Sequence, residues 1–284
     1  MTMYAVIGWP LGHSMSPAIH NASFEALGLR CRLGAVAVPP EGLDAFMRAL
    51  PSSGLRGLAV TIPHKTAVLP HCAFVDPDAA EIGAANTVAV GEAGMARAYN
   101  TDAPGAIGAL RDAGVVVAGA RVMVLGAGGA ARAICFRLLR DGAASVVIAN
   151  RTPSRAEALK GDLEGVRGAA GRVGAVPGSG AAFEEALASA GILVNATSVG
   201  MSPLAGESPV AGTLLRADLA VMDIVYNPLE TRLLADARAA GATVIPGTEM
   251  LLRQAAEQER IWLGVEAPVG VMRKALLSGL GRSL

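Results

Sequence analysis

Two residues of the chain are suited to moving a proton. Lys65 ends the run TIPHK, at the C-terminal end of an expected strand and the start of an expected short helix, and Asp102 begins the helix of the segment TDAPGAIGALRD. A lysine at the C-terminal edge of an α/β sheet can give a hydrogen bond or a proton to a carbonyl oxygen, and an aspartate close by would fix its direction. Hydride transfer to a ketone leaves alkoxide character on oxygen, so such a donor is the chemical requirement of that reaction. Taken singly, Lys65 could equally be a surface lysine and Asp102 a first-turn acid. A second pair of side chains, Ser14 and Ser16 in GHSMSPAIHN, precedes a helix. Two hydroxyls at a helix start can bind a carboxylate with help from backbone donors, or Ser16 can cap the helix with Ser14 incidental.

The densest motif is VMVLGAGGAARAI at 122–134. Its spacing, Gly126-x-Gly128-x-x-Ala131, follows an apolar strand and opens a helix, which is the dinucleotide fingerprint with alanine in third place. Gly126 makes the tight turn, and Gly128 lets pyrophosphate approach the backbone. Ala127, Gly129 and Ala130 complete a loop whose N–H groups and helix dipole favour an anion. A glycine turn alone could also be without a ligand. The next strand ends in Asn150-Arg151-Thr152, with Arg155 one turn on. An NAD site expects an acid there; an arginine instead suits the 2'-phosphate of NADP and can stack on adenine. NADP is therefore the expected cofactor. His13, His20, His64 and His71 are scattered without a second metal ligand at sensible spacing. No metal is expected, although His64 adjoins Lys65.

These residues need two kinds of framework. Strands are expected at 3–7, 31–38, 57–63, 86–90 and just before Tyr99. Helices are expected at 17–27 (with Ser16 as N-cap), 41–50, 65–70 and 76–82, the texture of an α/β domain. A helix over 101–112 marks the boundary. Beyond it, strands at 121–125, 146–150, 191–195, 219–224 and 242–245 alternate with helices at 130–141, 153–160, 181–189 and 229–240. That is the pattern of a doubly wound sheet, interrupted by a glycine-rich stretch near 161–179. Residues 248–284 read as helical. The expected division is 1–102 with 246–284 for the substrate, and 103–245 for the dinucleotide.

Composition narrows the function. Twenty-four Lys plus Arg balance twenty-four Asp plus Glu, so no basic field exists to hold nucleic acid or a membrane surface. Hydrophobic residues make up 52% and charged residues 17%, as in globular chains. No apolar run of spanning length lacks glycine and charge, and the N-terminus does not read as a signal peptide. Cys31, Cys72 and Cys135 form no CxxC pair and read as free thiols in a reducing, cytoplasmic setting.

Nine blocks in order then resemble the shikimate dehydrogenase family, including its quinate/shikimate and dehydrogenase-like branches. They are VIGWPLGHSMSPAIHN (6–21), LAVTIPHK (58–65), GAANTV (83–88), YNTD (99–102), GAGGAARA (126–133), NRTPSRA (150–156), NATSVGM (195–201), DIVYNP (223–228) and MLLRQAAEQ (250–258). The resemblance implies reversible NADPH-dependent reduction of 3-dehydroshikimate to shikimate, with quinate or another cyclic hydroxy acid as the alternative. It implies a catalytic N-terminal domain rejoined by the C-terminal helices, and a central Rossmann-type NADP domain. Matched onto this chain, Lys65 and Asp102 become the catalytic pair. Ser14 and Ser16, with Tyr226, become the carboxylate clamp, and Thr61, Asn86 and Gln254 the ligands of the ring hydroxyls. Asn150, Arg151, Thr152 and Arg155 become the adenosine-phosphate site, with Thr197, Met222, Gly247 and Met250 near the nicotinamide. The expected state is monomer or homodimer. Two positions depart from the family pattern: Glu249, where glycine is common, and Glu259, where an aromatic is usual.

Overall fold

The structure, a computed structural model, describes residues 1–12, 14–91 and 94–281. His13, named above, lies outside the described residues. The chain forms two compact units, Met1–Asp102 with Leu252–Leu284, and Ala103–Leu251.

The first unit contains β1 (Thr2–Gly8), α1 (Ser16–Ala26), β2 (Cys31–Ala37), α2 (Leu43–Ala49), β3 (Leu55–Val60), β4 (Phe74–Val75), α3 (Pro77–Ile82), β5 (Thr87–Val90) and β6 (Ala96–Tyr99). Its sheet runs β2-β1-β3-β5-β6-β4. β1 pairs in parallel with both β2 and β3, whereas β5 is antiparallel to β3 and β6. A strand buried on both faces reads as a continuous apolar run, which is why Tyr4 to Ile7 are all buried. The side chains alternate: Tyr4 and Val6 join Phe24, Leu33 and Ala59 on one face, and Ala5 and Ile7 join Leu58, Val60 and Val88 on the other.

Asp102 begins α4 (Asp102–Asp112). The second unit then runs β7 (Arg121–Leu125), α5 (Gly129–Arg140), β8 (Ser145–Asn150), α6 (Pro153–Glu164), β9 (Val173–Pro177), α7 (Ala181–Ser189), β10 (Ile192–Asn195), β11 (Ala220–Asp223), α8 (Arg232–Ala239) and β12 (Thr243–Ile245). Its sheet is ordered β12-β11-β10-β7-β8-β9, and every pairing is parallel. This is the doubly wound dinucleotide order, with its switch point between β7 and β10, where ligands bind beyond the strand ends.

α9 (Gly247–Leu263) starts in the second unit and ends in the first, and α10 (Val269–Gly281) follows. Trp262 of α9 stacks on Tyr4 at 5.0 Å and donates its indole N–H to the Val88 carbonyl at 3.0 Å. Gly57 makes room for it, since a Cβ there would meet the Trp262 Nε1 at 2.6 Å. α10 packs on α1. No helix of the described residues is long and apolar enough to cross a membrane.

The structure differs from the sequence expectations in several elements. No α-helix forms over 65–70; turns occupy the segment, followed by a short 3-10 turn at Leu69–His71. Pro70 within it lacks the N–H that would bond the Thr66 carbonyl in a helix. Ser16 is not the N-cap. Met15 holds that position, and the Ser16 N–H points to the Ser14 Oγ at 3.4 Å instead. The glycine-rich stretch contains β9, and β4 was not foreseen. α8 starts at Arg232 rather than at 229, because Thr231 caps it by accepting the Leu234 N–H.

Candidate active site

In the first unit, the ends of β1 and β3 are pinned together. A Cβ on Gly8 would meet the Thr61 Cγ2 at 2.4 Å and the Ile62 carbonyl at 2.8 Å, so only glycine permits this approach. The Trp9 N–H bonds the Ile62 carbonyl at 2.8 Å and the Thr61 N–H bonds that of Ile7 at 2.9 Å. Half-buried Thr61 is thereby fixed beside the loop that leads to Ser14 and Ser16. Ser16 is nearly buried, and Ser14 is partly so.

The turn after Thr61 carries Lys65. Its carbonyl accepts the Ala85 N–H at 2.7 Å, which ties the turn to the start of β5. The Lys65 Nζ donates to the Asp102 Oδ2 at 2.5 Å. The other carboxylate oxygen, Oδ1, accepts from the Asn86 Nδ2 at 2.9 Å. Asn86 also donates to the Gln254 Oε1 at 3.1 Å. Its own Oδ1 accepts the Thr101 N–H at 2.7 Å, which fixes the amide so that Nδ2 faces Asp102. Asn86 is 1% and Asp102 4% exposed, while Lys65 keeps access to solvent at 15% of its side chain. The site therefore presents one ammonium held from behind by a buried carboxylate, which is the arrangement a ketone-reducing proton donor requires. Lys65, Asp102, Asn86 and Gln254 share one hydrogen-bonded network. Thr61, just after β3, Ser14, just before α1, and Ser16, the first residue of α1, lie outside it. His64 belongs to the fold: it is buried, with its Nε2 against the Val38 carbonyl at 2.7 Å.

In the second unit, Gly126 follows β7 with φ +106°, and a Cβ there would meet the Ala196 carbonyl at 2.9 Å. The turn thus abuts the end of β10 across the switch point. Gly128 is different. Its φ is −88°, and an added Cβ would meet nothing within 4 Å. Among the described residues nothing requires glycine there. Gly128 is the N-cap of α5, with no side-chain cap and no acid in the first turn, so the amides around Ala127, Gly129 and Ala130 remain available to an anion. Asn150 turns its Nδ2 onto the Thr152 carbonyl at 2.9 Å, shaping the exit from β8. Arg151 and Arg155 are exposed at the start of α6. These residues fit a phosphorylated dinucleotide: an open cradle for pyrophosphate and guanidinium groups for a further phosphate.

Thr197 follows β10, donating its hydroxyl to the Asn195 Oδ1 at 2.7 Å. Met222 and Met250 are buried. Gly247 is forced: a Cβ would meet the Ile224 and Val225 carbonyls at 2.6 Å. Half-buried Tyr226 lies on that same loop. One organising residue escaped the sequence reading. Asp223, fully buried, accepts from the Asn195 Nδ2 (2.9 Å), the Val225 N–H (3.0 Å) and the Thr231 hydroxyl (2.7 Å), and so anchors the loops bearing Thr197 and Tyr226. Burial pushes its carboxyl up to about 6, against these hydrogen bonds, which favour the ionised form. An acid at the end of an apolar strand, LAVMD, was the available signal.

A doubly wound sheet with an anion cradle at its crossover, in a chain whose other unit pairs a lysine with a buried aspartate, makes this a nicotinamide-dependent oxidoreductase. Comparison with known proteins gives the particular kind. Family models match residues 6–88 (shikimate dehydrogenase substrate binding domain), 109–224 (shikimate/quinate 5-dehydrogenase) and 247–277 (shikimate 5'-dehydrogenase C-terminal domain). The NADP-dependent shikimate dehydrogenase of Methanosarcina mazei is 44% identical over 98% of this chain and 98% of its own. Among solved structures, shikimate 5-dehydrogenase from Thermus thermophilus in complex with NADP(H) and shikimate is 38% identical with a TM-score of 0.87, covering 99% of this chain and 100% of that one. Quinate dehydrogenase from Corynebacterium glutamicum in complex with NAD is 32% identical with a TM-score of 0.89, covering 98% and 99%. The chain belongs to the shikimate dehydrogenase family.

Proposed function

We propose that the chain catalyses the reversible reduction of 3-dehydroshikimate to shikimate with NADPH. The observation that carries this reading is the solvent-reaching Lys65 ammonium fixed on buried Asp102. Lys65 donates a hydrogen bond to the ketone oxygen and gives up a proton as that oxygen gains charge. Asp102 orients Lys65 and shares a substrate hydroxyl. Thr61, Asn86 and Gln254 bind the ring hydroxyls, and Ser14 and Ser16, with Tyr226, bind the carboxylate. Pyrophosphate is held by the Gly126-Ala127-Gly128-Gly129-Ala130 turn. Asn150, Arg151, Thr152 and Arg155 hold the adenosine phosphate, and Thr197, Met222, Gly247 and Met250 border the nicotinamide. When bound, the cofactor supplies the hydride, and every proton is handled by the chain. The substrate domain of this reading is 1–102 with 246–284, and the NADP domain 103–245. The protein is read as cytoplasmic, a monomer or homodimer, without nucleic-acid partners.

Glu249 is half-buried in the first turn of α9, where the helix dipole favours an acid. Quinate or a related cyclic hydroxy acid is the alternative substrate. The deciding experiment is one assay series of the purified protein with NADP or NAD against shikimate and quinate. NADP reduction with shikimate alone is expected, and silence with shikimate overturns the reading. Lys65→Ala should abolish most turnover while leaving NADPH binding intact. Equal loss of both would remove Lys65 from the chemistry.

A further inference from the structure

Behind the catalytic pair lies a second buried polar cluster that the proposed chemistry does not use. Glu259 and His20 are both fully buried, with the Glu259 Oε1 against the His20 Nδ1 at 2.8 Å. The Ser23 hydroxyl donates to the Glu259 Oε2 at 2.5 Å. The His20 ring is flanked by Phe24 and Trp262, at 5.9 and 5.4 Å between centroids. Its Nε2 faces the Gln258 Oε1 at 3.1 Å, and the Gln258 Nε2 reaches both the Asn86 carbonyl and the Thr87 Oγ1 at 3.1 Å. The Thr87 hydroxyl in turn donates to the Asn86 Oδ1 at 2.9 Å.

The donor directions in this chain are forced. The Asn86 carbonyl can only accept, so the amide of Gln258 must turn its Nε2 that way. The Thr87 hydroxyl proton is already given to Asn86, so Thr87 accepts from Gln258 too. That leaves the Gln258 Oε1 for His20, and the His20 Nε2 must carry a proton. The His20 Nδ1 then shares a 2.8 Å hydrogen bond with the Glu259 Oε1 in a dry setting. We infer that Glu259 and His20 are positioning residues for the catalytic pair, acting through Gln258 and Asn86 on Asp102 and Lys65. A histidine held by a carboxylate on one nitrogen has its tautomer and ring angle set for what the other nitrogen touches. Here that contact begins a line of bonds ending on the carboxylate that aims Lys65. The inference rests on the proposed chemistry at Lys65.

Glu259→Phe leaves the His20 Nδ1 and the Ser23 hydroxyl without a partner. Glu259→Gln can still donate to Nδ1 and accept from Ser23, so it serves as the rescue. The wild-type protein and both variants are assayed with shikimate and NADP. Glu259→Phe should lower kcat about tenfold, within the roughly 100-fold that a misplacement of about 1 Å can cost, with the KM for NADP within twofold. Glu259→Gln should recover at least half of wild-type kcat. With shikimate deuterated at the carbon that yields hydride, Glu259→Phe should show a larger isotope effect on kcat than wild type, which a smaller folded fraction would not produce. Unchanged kcat in Glu259→Phe, an unchanged isotope effect, or no rescue by glutamine overturns the inference. Gln258→Glu, which sets a carboxylate oxygen against the Asn86 carbonyl, substitutes for Glu259→Phe if that variant fails to fold: a lowered kcat with a larger isotope effect is expected, and an unchanged kcat or isotope effect overturns the inference. Nitrogen-15 NMR of histidine-labelled wild-type protein must show a protonated His20 Nε2, and a bare Nε2 refutes the bond directions even without turnover. Wild-type protein silent with shikimate but with Nε2 protonated would fail the functional reading, and with it the positioning role, while leaving the bond directions standing.

Discussion

Two glycines of the nucleotide turn, two residues apart, should respond to the same substitution in opposite ways. At Gly126 the backbone has φ +106° and the space for a Cβ is taken by the Ala196 carbonyl, 2.9 Å away. Alanine there costs roughly 1–2 kcal/mol for the backbone conformation. Displacing the end of β10 costs roughly 1–2 more, on the scale of other overpacking changes. The sum, about 2–4 kcal/mol, corresponds to a fall of about 5–15 °C in Tm for a unit of this size. At Gly128 the φ of −88° suits any residue and the Cβ points into open space. Alanine there loses a favourable N-cap but gains from a stiffer unfolded chain, and the two offset to within about 1 kcal/mol. The methyl group would instead occupy the place where pyrophosphate meets the backbone. NADPH affinity should therefore fall by at least about tenfold, equivalent to about 1.4 kcal/mol. Thermal melts without ligand and fluorescence titration with NADPH separate the two effects. A Gly128→Ala protein that binds NADPH as tightly as wild type would refute the assignment of this turn to the cofactor. So would a Gly126→Ala protein that melts with wild type.

Other expectations follow from the same geometry. Arg151→Ala with Arg155→Ala should weaken NADPH binding by about 10–100-fold, the worth of one charge-assisted contact, and leave NADH binding unchanged in the same titration. Asp223 is raised to about 6 from an ordinary value of 3.8, so the folded chain holds its proton more tightly than the unfolded chain. Its contribution is therefore fully present below about pH 4 and lost as pH rises through about 6, amounting to at most about 3 kcal/mol. Urea unfolding between pH 4 and 7.5 should show this fall, and Asp223→Asn should flatten it relative to wild type. Burial pushes the Cys135 thiol up to about 12 and that of Cys72 up to about 11. A disulfide reagent at pH 8 should therefore label Cys31 first and reach Cys135 only on unfolding, as peptide mapping would show.

The second unit was largely legible because its signals are local. An apolar strand, a glycine turn and an amphipathic helix sit within about twenty residues, and Arg151 follows the next strand directly. β9 was hidden because VGAVP offers two branched residues among glycine and proline, and its burial comes from α6 and β8 rather than from its own pattern. The Lys65–Asp102 pair was legible as chemistry, but its support was not. Asn86 meets Gln254 across 168 positions and His20 meets Glu259 across 239, and no periodicity reports pairs so distant. Gly57 likewise read as an ordinary strand residue, since only the fold brings Trp262 against it.

The first unit is made of two chain segments, with the whole second unit encoded between them. During synthesis, His20, Asn86 and Asp102 are finished long before Gln254, Gln258, Glu259 and Trp262 exist. At ribosomal speeds of roughly 5–20 residues per second, the roughly 150 intervening residues impose a wait of roughly 8–30 s. Through that interval Tyr4 has Phe24 beside it but not Trp262, and buried-to-be amides are without their partners. The central unit, continuous in sequence, can complete itself first. The order of birth therefore places the dinucleotide fold ahead of the catalytic one, and makes the segment from Leu252 onward the step on which the active pair depends.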